Sequence, residues 1–389
     1  MNEVDIPPPP SKRLRDNEGN ASAVVSMVQY RQQQQPPEAE TIRTSSLPAP
    51  TMQLSGHKGS IYALEYCPSG ETLASGGFDM KVFLWSHSDG YTNFNVLEGH
   101  KNAVLDLKWL DESHLVTASA DKTLVYWDTN TGDRLRSFKG HSMIVNAVDT
   151  ATTTSAGTTA DSSSSSSISN PHLFVSASDD ATAKIWDARQ KRETSTLEHD
   201  FQVTAVALDG TNQIVYTGGI DNTITAWDVR QSKRTMGLKG HTDTITSLSL
   251  HPKSTHLLSN SMDNTIRTWD IRPFCAEPQR QCKTFEGAKH NAEKRLLRAA
   301  WSPDGSMISC GSADRMVRVF DEYSTEELYL LPGHKGCVNT VIFHPKENVI
   351  ARYVRFVFRL GVLFFWLAYI CCCTLCPYRR AFFFTGNKT

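Results

Sequence analysis

The chain has 389 residues, nine cysteines and a formal charge of -1, with 40 Lys and Arg against 41 Asp and Glu. Six of the basic and none of the acidic residues fall in 352–389, which leaves 34 against 41 in residues 1–351; that stretch is too acidic for a general binder of nucleic-acid backbone, whose affinity rests on phosphate neutralisation. Met1–Pro10 is polar and lacks the apolar run of a secretory signal, and Cys67, Cys275, Cys282, Cys310 and Cys337 have neither disulfide nor zinc spacing, so a reducing compartment is expected.

Residues 1–50 hold Pro7 to Pro10, Gln32 to Gln35 and Pro36-Pro37 and read as a disordered arm. Inside it, Ser11-Lys12-Arg13-Leu14-Arg15 is a basic cluster with two readings, a nuclear address or plain solvated charge. A repeating unit follows. It opens with His57, His100, His141, His199, His241, His290 and His334, and closes with Trp85, Trp127, Trp186, Trp227, Trp269 and Phe320. An aspartate stands six residues before each closing aromatic, as Asp79, Asp121, Asp180, Asp221, Asp263 and Asp314. Apolar residues four and seven positions after the opener, such as Val104 and Leu107, mark an inner strand. A unit of roughly 40 to 45 residues with this punctuation is one blade of a β-propeller, a small antiparallel sheet that buries its faces only by stacking on its neighbours. The expected fold is all-β, a seven-bladed propeller over 51–351 whose seventh blade is incomplete or aberrant.

Two units are stretched. Between Trp127 and Trp186 lie 59 positions, and the excess is the Ser/Thr-rich run 151–169, read as a loop insert in blade three. The second excess, Arg272 to Lys289, carries prolines and basic residues and is expected to be a solvated connection from blade five to blade six.

The Gly-His and Trp-Asp pairs, as in Gly99-His100 and Trp127-Asp128, resemble those of the WD40 family. The resemblance implies a hydrogen-bonded tetrad in each blade, built from the opening His, a Ser or Thr, the turn Asp and the Trp. Carried onto this chain, the tetrads are His57, Ser75, Asp79 and Trp85; His100, Thr117, Asp121 and Trp127; His141, Ser176, Asp180 and Trp186; His199, Thr217, Asp221 and Trp227; and His241, Ser259, Asp263 and Trp269. Blade six departs, with Cys310 at the hydroxyl position and Phe320 in place of Trp, so its tetrad is expected to be incomplete.

No Walker loop, HExxH helix or nucleophile elbow is present, and the tetrads already absorb the His and Asp that look like catalytic partners. The expectation is a scaffold with no catalytic residue, no cofactor and no metal. Cys371-Cys372-Cys373 with Cys376 lacks partner ligands for zinc, and lipidation there is a minority reading.

Within the WD40 family, several phrases are similar to the WD-repeat subunits of the U5 small nuclear ribonucleoprotein of the spliceosome. They include Gly218-Gly219-Ile220-Asp221-Asn222, Ser259-Asn260-Ser261-Met262-Asp263-Asn264 and Arg298-Ala299-Ala300-Trp301-Ser302-Pro303-Asp304-Gly305. The resemblance runs from about Ser45 to Ala351. It implies a nuclear protein-protein scaffold in pre-mRNA splicing, docked on the large core splicing scaffold protein and other U5 proteins, with RNA met only indirectly. Partner binding is expected at the propeller mouth, where Phe78, Ile220 and Met262 precede the turn aspartates. One rival is a substrate receptor of a cullin-type ubiquitin ligase, suggested by Trp-Asp-x-Arg boxes such as Trp186-Asp187-Ala188-Arg189.

The other rival comes from residues 352–389. Leu360 to Tyr378 is uncharged for 19 residues, close to the roughly 20 that span a membrane, so a tail-anchored scaffold is the alternative reading. The preferred reading is that the coding sequence has run into an intron or lost its frame after Ala351, because neither the turn Asp nor the closing Trp of a seventh blade follows and Arg352-Tyr353-Val354 matches a translated splice junction.

Overall fold

The structure, a computed structural model, describes residues 51–151, 172–275, 279–291, 293, 295–332, 334, 336–354 and 357–362. The arm 1–50, the serine-rich insert beyond Ala151 and most of the apolar stretch 360–378 lie outside the described residues. Among the described residues, no helix is long and apolar enough to cross a membrane.

Seven four-stranded antiparallel sheets follow one another along the chain. Blade one is Ile61–Tyr66, Thr72–Gly77, Lys81–Ser86 and Thr92–Glu98, from inside to outside. The inner strands of the later blades are Val104–Trp109, Val145–Thr150, Val203–Leu208, Ile245–Leu250, Ala299–Trp301 and Val338–Phe343. Each second strand is almost wholly buried, as in the Thr72–Gly77 pattern, because it is covered on both faces. In blades one to five each fourth strand is exposed or half-buried except for one large buried residue, Leu97, Phe138, Leu197, Leu238 or Phe285.

The core sits between blades rather than within them. One apolar cluster joins Leu84 and Leu97 of blade one to Leu107, Trp109 and Trp127 of blade two. Another joins Tyr216 and Leu238 of blade four to Ile245, Leu257 and Trp269 of blade five. The ring closes in the same way, with Val349 and Ala351 packed with Ile61, Leu64 and Leu73 of blade one. Polar ties cross the same seam: Asn339 Nδ2 donates to the Ile61 carbonyl at 2.9 Å and Thr340 Oγ1 to that of Tyr62 at 2.7 Å.

Two sequence expectations change. The Arg272–Lys289 segment is not one connecting loop, because Gln281–Glu286 pairs with Thr265–Asp270 as the fourth strand of blade five. Phe285 is its buried anchor, as Leu97, Phe138, Leu197 and Leu238 are in the fourth strands of blades one to four. At the end of the chain, pairing does not stop at Ala351. Val349–Val354 and Val357–Val362 pair with each other, and the latter also pairs with Thr51–Leu54, which is the outer strand of the seventh sheet. The physical reason is that Thr51–Leu54 and Val349–Val354 each present an edge of unpaired backbone groups, and a Val- and Phe-rich segment is well suited to fill it without any turn signature. In side-chain terms blade seven remains aberrant, since neither the turn Asp nor the Trp stands in it.

Gly219 ends the second strand of blade four against the backbone of the preceding segment, where an added Cβ would lie 2.2 Å from the Gln202 carbonyl oxygen. At Gly237, in the outer strand, the nearest atom would be 3.8 Å away. Gly219→Ala is therefore expected to cost about 1–3 kcal/mol through overpacking, while Gly237→Ala is expected to be neutral or stabilising by roughly 0.4–1 kcal/mol. Denaturant unfolding of the two variants checks the contrast.

Candidate functional site

The connections that enter the first strand and those that join the second strand to the third lie at one end of every sheet, the mouth of the ring. In six blades the second-to-third turn contains the expected Asp, and the residue after it is left-handed: Met80, Lys122, Ala181, Asn222, Asn264 and Arg315 have φ between 59° and 71°. This is the three-residue hairpin loop with an αL position, and it holds the carboxylate over the start of the inner strand.

Four tetrads are fully bonded. In blade two, His100 Nδ1 meets Asp121 Oδ2 at 2.9 Å and Nε2 meets Thr117 Oγ1 at 2.7 Å, while Trp127 Nε1 donates to Thr117 Oγ1 at 2.9 Å. The same three bonds unite His57, Ser75, Asp79 and Trp85; His141, Ser176, Asp180 and Trp186; and His241, Ser259, Asp263 and Trp269. Burial alone would raise these carboxyl groups. The bonds from His and, in blades two, three and five, from Thr123, Thr182 and Thr265 outweigh it and hold Asp121, Asp180 and Asp263 well below the usual carboxylate range.

Blade four is the exception. Trp227 Nε1 donates to Thr217 Oγ1 at 2.9 Å, but His199 bonds neither Thr217 nor Asp221 and its Nε2 is buried without a partner. The cause is one residue upstream. In the bonded blades a glycine precedes the His and lies against the tip of the indole, where a Cβ would come within 3.3, 3.1, 2.9 and 3.0 Å of the Trp Cη2 at Gly56, Gly99, Gly140 and Gly240. Blade four has Glu198 there. The His199 ring centroid sits 4.8 Å from that of Trp227, against 6.0–6.2 Å in blades two, three and five. Burial, then the charge of Arg234, push His199 down to about 4, and burial raises Asp221. Blade six is also unbonded. Cys310 is buried with its thiol pushed up to about 12 by burial, His290 has both ring nitrogens without partners, and Asp314 instead accepts from Arg318 at 2.6 Å.

Of the three mouth residues expected to meet a partner, Phe78 is 61% and Ile220 44% exposed, whereas Met262 is half-buried. The same face carries three more exposed apolar side chains that sequence reasoning missed, Met80, Met143 and Phe201. Met80 follows from the left-handed turn position. Met143 and Phe201 each stand two residues after an opening His, a spacing that could have flagged them. Among the described residues, no group of three or more His, Cys, Asp and Glu is arranged to hold a metal ion.

The family described as "WD domain, G-beta repeat" matches residues 48–86, 92–128, 132–187, 191–228, 231–270 and 280–321. The chain is 45% identical over 313 residues to the U5 small nuclear ribonucleoprotein 40 kDa protein of Dictyostelium discoideum, covering 80% of this chain and 83% of that protein. It is 44% identical over 310 residues to the pre-mRNA-splicing factor cwf17 of Schizosaccharomyces pombe, covering 79% and 86%. The human U5 40 kDa protein is 45% identical over 310 residues, covering 79% and 82%.

Two measurements follow from the tetrads. Asp263 accepts from His241, from the Thr242 and Thr265 amides and from Thr265 Oγ1, so Asp263→Ala is expected to cost about 1–3 kcal/mol. Asp221→Ala is expected to cost clearly less, because its amide contact to Thr223 is a long 3.4 Å; equal losses in Tm would contradict the broken tetrad. In the second, His199 stays neutral in the fold down to about pH 4 while the unfolded chain takes up its proton near the ordinary value of about 6.5. Stability is therefore lost as pH falls through that window, and His199→Gln is expected to lose less Tm between pH 7 and 4.5 than the parent chain.

Proposed function

Because the chain belongs to the WD40 repeat family, six of its repeats matching the family and its relatives covering most of both chains, we propose that it is a non-catalytic subunit of the U5 small nuclear ribonucleoprotein in pre-mRNA splicing. Its close homologues are the U5 40 kDa proteins and a splicing factor, and neither the ligase-receptor nor the membrane-scaffold reading is favoured by them. In this proposal the protein works in the nucleus, its propeller mouth docks on the large core splicing scaffold protein, and RNA is met only through protein partners.

The observation that carries the docking half is the distribution of exposed apolar side chains. Phe78, Met80, Met143, Phe201 and Ile220 all stand on the mouth. Exposed Phe and Ile at structured turns suit a binding surface better than water, and such residues supply most of the energy of an interface. In blades one, two, three and five the bonded tetrads fix the turns that carry this surface, which lowers the cost of ordering it on binding. The tetrad histidines are bonded on both ring nitrogens in four blades, to a carboxylate and to a hydroxyl that also accepts from a buried indole, which fits a structural role.

The test is affinity purification of the tagged chain from nuclear extract. A triple variant, Phe78→Asp, Phe201→Asp and Ile220→Asp, is expected to lose at least about ten-fold in recovery of the core splicing scaffold and U5 RNA with unchanged Tm, consistent with removal of hot-spot residues worth about 2 kcal/mol or more. Phe274→Asp and Tyr323→Asp, at exposed turns on the opposite face, are expected to retain both. Full recovery with the triple variant excludes the mouth, and recovery of a ligase adaptor in place of U5 components overturns the assignment.

A further inference from the structure

The face opposite the mouth opens into a cavity of about 590 Å3 around the central channel. Eight positions after each opening His, allowing for the two-residue insertion in blade six, the inner strands place Glu65, Lys108, Asp149, Ala207, Ser249, Ala300 and Ile342 at one level of the ring. Ionisable side chains occupy this level only in blades one to three; blades four to seven present small or apolar groups. Such a channel has one charged wall and one apolar wall.

The charged wall is unbalanced. Lys108 Nζ is 2.9 Å from Glu65 Oε1 and 3.8 Å from Asp149 Oδ1, so one ammonium group serves two carboxylates. The cavity lining as a whole carries Glu65, Glu112 and Asp149 against Lys108 and Lys346, and Arg298 is engaged by Asp106. Asp149 Oδ2 accepts the Leu208 amide at 2.8 Å, which fixes the carboxylate while leaving Oδ1 turned to Lys108. Desolvation raises both Glu65 and Asp149, the latter to about 6, and the charge of Lys108 offsets it only in part. Outward from this level the funnel is lined by Pro68, Pro252, Pro303, Phe343 and Pro345.

We propose that the funnel binds an Arg or Lys side chain on an extended segment of a partner polypeptide, its charged end against Asp149 and Glu65 and its aliphatic stem along Ala300 and Ile342. A long cationic side chain matches both walls at once, apolar along its stem and charged at its tip. An acidic or phosphorylated group is repelled by the same carboxylates. This site is separate from the mouth and stands whether or not the U5 assignment does.

Isothermal titration of the full chain with N-acetyl-Leu-Arg-Leu-amide, its Lys counterpart and its Glu counterpart tests the proposal. Saturable binding of the Arg and Lys peptides is expected, at least ten-fold tighter than the Glu peptide. Asp149→Asn keeps an oxygen for the Leu208 amide and is expected to weaken binding about ten-fold with the Tm unchanged. Ala300→Lys, which supplies a competing cation from the opposite wall, is expected to weaken it as well. Asp149 is faced by Lys108 and Asp106 from blade two and by Glu65 from blade one, so affinity is expected to fall between pH 7.5 and 5 as its carboxylate is protonated, and this fall is expected to be smaller in Asp149→Asn. Absence of saturable binding, equal binding of the Glu peptide, or unaltered affinity in both variants overturns the proposal. The mouth variant Phe78→Asp is expected to bind the peptides normally, which separates this outcome from the docking test.

Discussion

The structure depends on one constraint: a four-stranded blade cannot bury its own faces, so every apolar cluster is shared between neighbours and no blade is stable without the next. Closure is therefore the decisive contact of the ring. It is made by Val349, Ala351 and Leu54 packing with blade one, and by Asn339 and Thr340 donating to inner-strand carbonyls across the seam. The tetrads act inside this frame. By tying the turn carboxylate to the opening His and, through a hydroxyl, to the buried indole, each one fixes the angle at which the chain leaves one blade and enters the next.

Much of this was legible in the residues because the spacing is a direct image of the geometry. The Asp lies in the turn of one hairpin whose two strands carry the Ser or Thr and the Trp, so three of the four tetrad members are written close together in sequence and the opening His stands one strand upstream. The broken tetrad of blade four has its mark in the sequence too, in the Gly-His pair, which reads Glu198-His199 there. Glu198 in place of glycine supplies a Cβ where the other blades leave room for the indole tip, and the His it precedes moves off its partners.

What was missed has a common cause. Gln281–Glu286 was read by its basic and proline-rich surroundings, yet strand four of a blade is selected by one buried residue, Phe285, and otherwise tolerates exposed polar side chains. The pairing of 349–354 and 357–362 was missed because the sequence carries no turn Asp or Trp there, while edge pairing asks only for β-prone residues beside unpaired backbone. Glu65, Lys108 and Asp149 were hidden because they lie on inner strands of different blades, far apart in sequence, and belong to no repeat motif. Only the superposition of blades reveals that they share one level of the channel.

The two ends of the ring are therefore different surfaces built from the same repeat. At the mouth, the turn geometry is uniform and the side chains that vary are apolar, concentrated on blades one, three and four. Blade four contributes both Phe201 and Ile220, and it is also a blade whose opening His is not tied to its turn Asp. Local rules are most often broken where function competes with stability, and here the segment that carries Phe201 lacks both His bonds and the amide bond to the turn Asp that the bonded blades make. A segment released in this way can adjust to a partner without disturbing Trp227, whose bond to Thr217 keeps the blade packed. The opposite end offers no such freedom, since its charges are fixed by Leu208 and Arg298 across blade boundaries, and a surface of that kind selects by charge rather than by fit.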